Sequence, residues 1–320
     1  MSAILLSILL SSSSFATKTV RPAIFRAGNE NVHVVYASDD EQLLYTLTSA
    51  KTVIEHSSDP KRVFIHIFHR PSSESSLRSA VDCYFPLHTR QAKIMLHSAQ
   101  ENDVNIDFLV RSKSDQRLAN VFNFLRIYLY RLLPDVEKVL YLDIDTVVLG
   151  DVSTLFHAHL RDGTDKFIAV ARRDTTLERM INFRNPIVQR HNISPDGMSF
   201  NAGVMLMHLG NWRASKIVEN VEFWSRLNVE TDVYKHGSQP PLLLAFADDD
   251  RHEEFDGRWN LDGLGWRIRK PREIQTAGIL HWTGPDKPWL KTGRYQEFWK
   301  PFINESCDAK FAPQLQHEHA

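Results

Sequence analysis

From Asn31 onward, short apolar segments rich in β-branched residues alternate regularly with segments of helical periodicity. Such alternation is typical of repeated βαβ units, in which helices flank a mostly parallel sheet. We therefore predict an α/β domain built on such a sheet. The expected strands are Val32–Tyr36, Val63–Phe68, Ile106–Val110, Val139–Leu142, Phe167–Ala171, Val204–Leu209 and Ile279–Trp282.

Amphipathic helices are expected between these strands, because apolar residues recur there at intervals of three and four. The segment Leu43–Ile54 follows a polar start of the helix-capping type at Ser38-Asp39-Asp40-Glu41. The segment Leu118–Leu133 ends where Pro134 stops a helix. A third helix is predicted over Trp212–Leu227.

Composition excludes several classes of protein. Of the 320 residues, 42% are hydrophobic and 24% charged, as in a globular protein with a sizeable core. Lys and Arg number 38 against 39 Asp and Glu, so nucleic acid is not an expected partner. Two cysteines, Cys83 and Cys307, are too few for a disulfide scaffold, and one bridge or two free thiols are both compatible with the sequence.

The N-terminal residues resemble a secretory signal. An apolar run, Ala3–Leu10, precedes Ser14-Phe15-Ala16, which has the character of a signal-peptidase site, although a clipped membrane anchor or a disordered leader would look similar. We expect a signal over residues 1–16, a linker over 17–30, the α/β domain over 31–303 and a C-terminal tail over 304–320. The expected location is the lumen of the endoplasmic reticulum or Golgi, or outside the cell. No stretch has the about 20 apolar residues of a stable membrane span.

Two segments are expected to lie outside the packed core. The charged run 247–254 is predicted to be a solvated loop. The chain from Pro313 to Ala320 is expected to fray.

The strongest local motif is Val139-Leu-Tyr-Leu-Asp143-Ile-Asp145, an apolar strand that ends in two carboxylates one residue apart. Side chains at positions i and i+2 of a strand share a face, and α/β folds bind ligands where strands end. Carboxylate oxygens suit Mg²⁺ or Mn²⁺ with a diphosphate. The motif therefore predicts a metal site, although an acidic pair that only caps a strand would look the same.

Two further motifs fit such a site. In His281-Trp-Thr-Gly284-Pro-Asp-Lys287-Pro-Trp289, a histidine could ligate the metal while the lysine neutralises a phosphate oxygen. In Ser199-Phe-Asn201-Ala-Gly203, small residues let the backbone approach a ligand, and the Asn201 amide can bind sugar hydroxyls. Alternatively, His281 is only a packed residue at a strand end, and the Ser199–Gly203 segment is only a turn before a core strand.

In this order the motifs resemble glycosyltransferase family 8, the retaining transferases that include glycogenin and bacterial lipooligosaccharide galactosyltransferases. Gln239-Pro-Pro-Leu-Leu-Leu, with Trp259-Asn260 after it, is most similar to the eukaryotic glycosyltransferase-8-domain-containing proteins. The resemblance spans roughly Val32 to Trp289. It is carried by YASDD (Tyr36–Asp40), FLRIYLYRLLP (Phe124–Pro134), KVLYLDID (Lys138–Asp145), FNAGVMLM (Phe200–Met207) and HWTGPDKPW (His281–Trp289).

The resemblance implies a single-domain GT-A fold with a Rossmann-like sheet. It implies transfer of a hexosyl or pentosyl residue from a UDP-sugar to a glycan or protein acceptor, with Mn²⁺ or Mg²⁺ held by Asp143, Asp145 and His281. The implied donor-binding residues are Ala37, Asp39 and Ile144 around uridine, Glu41 at a further donor contact, Arg126 and Asn201 with Ala202 and Gly203 at the sugar, and Gly284 and Lys287 at the diphosphate.

The resemblance also implies two residues close to the reaction. Asp174 corresponds to a family aspartate near the sugar. The family has an Asp-Gln pair beneath the donor sugar, where this chain has Ser238-Gln239. Because an amide is a poor nucleophile, we expect front-face substitution, with the Gln239 dipole facing the developing positive charge. Alternatively, Gln239 only starts a helix before two prolines.

Two other functions fit part of the sequence. Asp143-Ile-Asp145-Thr-Val147 matches the start of haloacid-dehalogenase-like phosphatases, but it comes after three predicted strands and leaves His281 and Lys287 without a role. An inactive transferase-like protein that binds glycans or nucleotide-sugars is the other alternative, although the complete set of metal ligands favours an enzyme. The sequence does not predict the donor sugar, the acceptor, the linkage or the oligomeric state.

Overall fold

The computed structural model describes residues 30–87, 91–105, 120–235, 237–247 and 250–316. The predicted signal over residues 1–16 and the strand Ile106–Val110 lie outside the described residues. The strands are β1 (Val32–Ala37), β2 (Val63–His69), β3 (Lys93–Ser98), β4 (Lys138–Leu142), β5 (Thr146–Val148), β6 (Ile168–Thr176), β7 (Met198–His208), β8 (His252–Phe255) and β9 (Ile279–His281).

Helices connect most of these strands. The α-helices are α1 (Leu43–Glu55), α2 (Glu74–Tyr84), α3 (Val121–Leu132), α4 (Val152–Ala158), α5 (Pro186–Arg190), α6 (Leu209–Arg213), α7 (Ile217–Thr231), α8 (Gln239–Ala245), α9 (Pro271–Thr276) and α10 (Glu305–Gln316). None of the described helices is long and apolar enough to cross a membrane.

In the described part of the chain, seven strands form one sheet in the order β3-β2-β1-β4-β7-β6-β8. The pairs β1–β2, β1–β4, β2–β3 and β6–β8 are parallel, whereas β7 runs antiparallel to both of its neighbours. The predicted mostly parallel sheet flanked by helices is therefore confirmed. β5 and β9 pair separately as an antiparallel ribbon beside it.

The two faces of the sheet carry separate hydrophobic clusters, because successive strand residues point to opposite faces. On β1, Val34 and Tyr36 pack with α1, α2 and the end of β4, whereas Val35 packs with α3 and α8 on the other face. A disulfide joins Cys83 of α2 to Cys307 of α10, so the cysteines form one bridge.

Several sequence-based predictions of elements need correction. The segment Ile279–Trp282 contains a strand, but that strand belongs to the ribbon with β5 and not to the central sheet. The helix predicted over Trp212–Leu227 is broken between α6 and α7, where the Ser215 hydroxyl accepts from the Ile217 N–H. The helix predicted from Leu118 begins at Val121, since the Asn120 side chain caps it by accepting from the Phe122 N–H.

Two segments predicted to be irregular belong in part to regular elements. The charged run 247–254 is not wholly a loop, because its last three residues belong to β8, which pairs with β6 at the edge of the sheet. The fraying predicted from Pro313 is wrong for residues 313–316, which continue α10. Residues 317–320 lie outside the described range.

Candidate active site

The acidic pair lies in the turn that leads from the central sheet into the β5–β9 ribbon. β4 ends at Leu142, so Asp143 and Asp145 do not sit on one face of a strand, and that part of the prediction is wrong. They converge for another reason: the ribbon sets Thr146 opposite His281. One ligand atom from each of Asp143, Asp145 and His281 lies within 4.8 Å of the others.

The chemistry of these side chains fits a divalent cation. His281 is fully buried, and its Nε2 has no hydrogen-bond partner among the described residues. That nitrogen lies 3.3 Å from Asp145 Oδ1 and 3.6 Å from Asp143 Oδ2. Two carboxylates and one imidazole nitrogen are a donor set that Mn²⁺ and Mg²⁺ accept.

The electrostatics of the group also favour a cation. Burial lowers the pKa of His281, but the adjacent Asp145 and Asp143 carboxylates raise it further, to about 9. An imidazole with this pKa is protonated at neutral pH and itself supplies positive charge. A metal ion bound here would replace that proton, because only the neutral imidazole is a ligand.

The other nitrogen of His281 is held by Asn260. The Nδ1–H donates to Asn260 Oδ1 at 2.9 Å, which leaves Nε2 directed at the carboxylates. Asn260 Nδ2 in turn donates to the Asn201 carbonyl at 3.3 Å. Asn260 thus links β7 to Asp143, Asp145 and His281, the candidate metal ligands that are called the metal-ligand group below. The sequence pattern predicted no function for Asn260, and its only signal was its place after Trp259 in the family-like segment.

Arg126 on α3 orients the Asp143 carboxylate. Its Nη2 lies 3.0 Å from Asp143 Oδ1, its Nη1 donates to the Ala202 carbonyl at 2.8 Å, and its guanidinium stacks 4.3 Å from the centre of the Tyr141 ring. Burial raises the pKa of Asp143, but Arg126 and His281 together hold it below its usual value. Asp143 is therefore ionised and oriented by a buried arginine.

Lys287 reaches the group from the loop after β9. Its Nζ contacts Asp145 Oδ2 and donates to the Trp282 carbonyl at 2.9 Å. Burial raises the pKa of Asp145, but Lys287 and His281 lower it far below its usual range. Gly284 in the same loop has φ +117°, a conformation that L side chains rarely adopt, and a Cβ there would lie 2.5 Å from Trp266 Cδ1.

β7 passes directly against the metal-ligand group. A Cβ on Gly203 would lie 2.3 Å from Asp143 Oδ2 and 2.4 Å from His281 Cε1, so only glycine fits. The Gly203 N–H donates to Asn201 Oδ1 at 2.9 Å. The Ala202 N–H donates to Gln239 Oε1 at 3.1 Å. The small-residue segment predicted to approach a ligand thus lies behind the carboxylates.

The structure confirms that Gln239 starts a helix, and its proposed role beneath the sugar stays a prediction. The residue begins α8 with two prolines behind it, as a helix start should. Its side chain nevertheless turns to β7, where Oε1 accepts from Ala202 and Nε2 donates to Met180 Sδ at 3.3 Å. The preceding Ser238 donates to Asn123 Oδ1 at 2.9 Å.

The residues expected around uridine lie at the carboxyl ends of the neighbouring strands β1 and β4. Ala37 ends β1, and Ile144 lies between the two aspartates. Asp39 follows β1, with Oδ1 3.3 Å from Arg70 Nη2, and burial raises its pKa more than Arg70 lowers it. Glu41 is exposed in the short 3₁₀ turn that comes next.

Asp174 lies farther along the site. It is exposed on β6 and lines a cavity of about 560 Å³ whose wall also contains Asn260 and Asp262. Because Asn260 also holds His281, this cavity adjoins the metal-ligand group.

The chain is similar to several known glycosyltransferases. The sequence profile of glycosyl transferase family 8 matches residues 33–293. Glycosyltransferase 8 domain-containing protein 1 from Mus musculus is 26% identical over 311 residues, which cover 90% of this chain and 81% of the mouse protein. Probable galacturonosyltransferase-like 4 from Arabidopsis thaliana is 28% identical over 286 residues, covering 82% of this chain and 74% of the plant protein.

A solved structure has the same fold. The galactosyltransferase LgtC, in complex with donor and acceptor sugar analogues, superposes with a TM-score of 0.65 and 24% identity. The superposition covers 85% of this chain and 95% of LgtC. Together with the sheet order, this likeness confirms the expected GT-A fold.

Proposed function

This chain belongs to glycosyltransferase family 8, and we propose that it transfers a hexosyl or pentosyl residue from a UDP-sugar to a glycan or glycoprotein acceptor, with Mn²⁺ or Mg²⁺ and with retention of configuration. The observation that carries this proposal is the convergence of the buried His281 Nε2 with the carboxylates of Asp143 and Asp145, whose ligand atoms lie within 4.8 Å of one another. A bound divalent cation would offset the charge of the diphosphate leaving group.

The side chains around this group have separable roles. Arg126 keeps Asp143 ionised and in place, and Asn260 keeps the ligating nitrogen of His281 facing inward. The Lys287 side chain is 29% exposed, so its ammonium can reach a phosphate oxygen from the position it holds beside Asp145. The positive φ of Gly284 shapes the loop that brings this lysine to the site.

The residues beneath the proposed sugar site favour front-face attack over a covalent intermediate as the route to retention. With Ser238 in place of an acid, no carboxylate is supplied at that position, so a covalent intermediate is not expected there. Gln239 Oε1 is held by the Ala202 N–H and retains a second lone pair for the positive charge that develops on the sugar. The acceptor then attacks from the face that the diphosphate leaves, and the departing phosphate oxygen takes the acceptor proton.

The alternative functions fit the site less well. A haloacid-dehalogenase-like phosphatase would use Asp143 as a nucleophile, but Arg126 and the metal-ligand group engage that carboxylate. An inactive binding protein has no need of a complete ligand set with a supporting arginine and asparagine.

Release of UDP tests the proposal. The full chain should release UDP from at least one of UDP-galactose, UDP-galacturonic acid, UDP-glucose and UDP-xylose in Mn²⁺, and release should stop in EDTA. Asp145→Asn should lower kcat/KM by about 10²-fold or more. Asp165→Asn, at a side chain that is 80% exposed, is the matched control and should match the unaltered protein. Equal UDP release in EDTA, or release of inorganic phosphate instead of UDP, would refute the proposal.

We also propose that the protein acts in the lumen of the secretory pathway, in the endoplasmic reticulum or Golgi, or after secretion. The Cys83–Cys307 disulfide is of the kind that persists in oxidising compartments. Asn192, the first residue of one Asn-Ile-Ser sequon, is exposed, and Asn304 begins a second. Protein from a eukaryotic host should start near Thr17 and carry glycan, as intact mass will report. Full-length, unglycosylated protein in the cytosol would refute this location.

A further inference from the structure

An exposed tryptophan lies at the mouth of the cavity beside the proposed metal site. Trp266 is 68% exposed, which is a large apolar area to leave in water. The Trp266 backbone N–H donates to the Gly263 carbonyl at 3.0 Å, and the edge of the indole lies against Gly284. The neighbouring Gly265 N–H donates to the Thr283 carbonyl at 3.2 Å. The ring thus offers an exposed apolar surface beside the loop that carries Lys287.

The cavity beside this ring has a surplus of guanidinium groups. Asp262, whose side chain is only 8% exposed, has Arg173 Nε at 2.7 Å, Arg269 Nη2 at 3.1 Å and Arg267 Nη2 at 3.7 Å. Arg269 also lies 3.6 Å from Glu273 Oε1. Among the described residues, Arg173 and Arg267 have Asp262 as their one ion-pair partner. Three guanidinium groups thus surround the one buried carboxylate of Asp262, which leaves net positive charge around it.

The positive surplus is local to the arginines around Asp262. Five arginines and four carboxylates line the cavity wall, and one of these arginines, Arg172, pairs with Glu254 outside the wall. Arg267 is 52% exposed and can turn toward a ligand at the cavity mouth. Guanidinium groups bind carboxylates with two parallel hydrogen bonds, which gives geometric specificity as well as attraction.

We propose that Trp266, Arg267 and Arg173 form an acceptor subsite for an acidic sugar unit, with the apolar face of the sugar ring on the indole and its acid group on the guanidinium pair. This inference rests on the proposed transferase function and names the acceptor class of the same site. The acidic group is assigned to the acceptor because Trp266 and Arg267 are at the exposed mouth, whereas the metal-ligand group is buried.

The test uses oligogalacturonides and their methyl esters, which share one backbone and differ in charge. Affinity is measured by calorimetry on the full chain with UDP and Mn²⁺ present. The unaltered protein should bind the acidic form about tenfold more tightly than the ester. Arg267→Gln should reduce that preference about threefold to tenfold, and Trp266→Ala should weaken both forms about tenfold. Trp266→Phe keeps an aromatic face and should recover most of that loss.

The matched control is Arg272→Gln, an exposed arginine on α9 outside the cavity wall, which should bind like the unaltered protein. Equal affinity for acid and ester, binding of neither, or an unchanged preference in Arg267→Gln would overturn the inference. The inference would also be overturned if Arg267→Gln lowered only the hydrolysis of UDP-galacturonic acid and left that of UDP-galactose unchanged. The acid group would then belong to the donor sugar. UDP hydrolysis by the unaltered protein reports separately on the proposed function.

Discussion

Replacing Gly203 by alanine should disable metal binding without unfolding the protein. The added Cβ would lie 2.3 Å from Asp143 Oδ2 and 2.4 Å from His281 Cε1, whereas ordinary contacts begin at 3.4 Å. Each proposed ligand must therefore retreat by about 1 Å. Metal–ligand distances tolerate deviations of only about 0.2 Å, so both ligands would leave their bonding positions.

Neither ligand can retreat freely. Asp143 is held by Arg126 at 3.0 Å, and His281 is held by Asn260 at 2.9 Å. Loss of a supporting contact alone costs about 10-fold to 100-fold in metal affinity. Displacing two ligands should cost at least about 10²-fold, which corresponds to about 2.7 kcal/mol. Gly203 lies within β7 and does not have a positive φ, so an alanine backbone fits the strand.

Free Mn²⁺ measured by electron paramagnetic resonance gives the affinity directly, and circular dichroism checks the fold. Gly257→Ala is the control, since a Cβ there meets nothing within 4 Å in the described part of the chain. It should bind Mn²⁺ like the unaltered protein. Folded Gly203→Ala that binds Mn²⁺ within threefold of the unaltered protein would refute the assignment of Asp143 and His281 as ligands.

Three further predictions follow from individual contacts. Asn260→Ala removes the acceptor of the His281 Nδ1–H and should weaken Mn²⁺ binding about 10-fold to 100-fold; unchanged affinity by paramagnetic resonance would show that it does not position the ligand. Gln239→Ala should lower kcat about 10-fold to 10³-fold with UDP affinity unchanged, and the product should keep the α configuration by NMR; an inverted product would contradict retention. Burial and two neighbouring histidines lower the pKa of His66 to about 3, so neutral His66 contributes stability above pH 6.5, and this contribution should fall by about 1.4 kcal/mol per pH unit below pH 6.5. Urea unfolding at pH 7 and pH 5 should show this loss of stability for the unaltered protein and a smaller loss for His66→Gln. Equal losses in the two proteins would contradict the prediction.

Much of the central sheet was predictable because its middle strands are buried on both faces and read as continuous apolar runs. The two strands of this sheet that the sequence patterns did not predict, β3 and β8, are not buried in this way. β3 is half exposed and carries Lys93 and His97, and β8 has three polar residues before Phe255. Both are edge strands of the described sheet, so only one neighbour holds each of them. A polar edge strand has the same composition as a loop, which is why sequence patterns do not separate the two.

The resemblance to family 8 predicted that Asp143, Asp145 and His281 hold one metal ion, but the local sequence patterns did not predict how the three side chains meet. Asp143 and Asp145 were identified from a strand pattern that they do not follow, and His281 joins them through the β5–β9 register. Such a register is set by tertiary packing across more than a hundred residues. The support from Asn260 and the pairing of Cys83 with Cys307 are likewise long-range contacts without a local pattern.

Calorimetric titration of UDP into the full chain, once with Mn²⁺ and once with EDTA, tests whether UDP and a divalent cation share one site at Asp143, Asp145 and His281. We predict that UDP binding is at least about 10²-fold tighter with Mn²⁺ and that Asp145→Asn abolishes this difference. UDP binding of equal strength in EDTA, or a full Mn²⁺ effect in Asp145→Asn, would contradict the account.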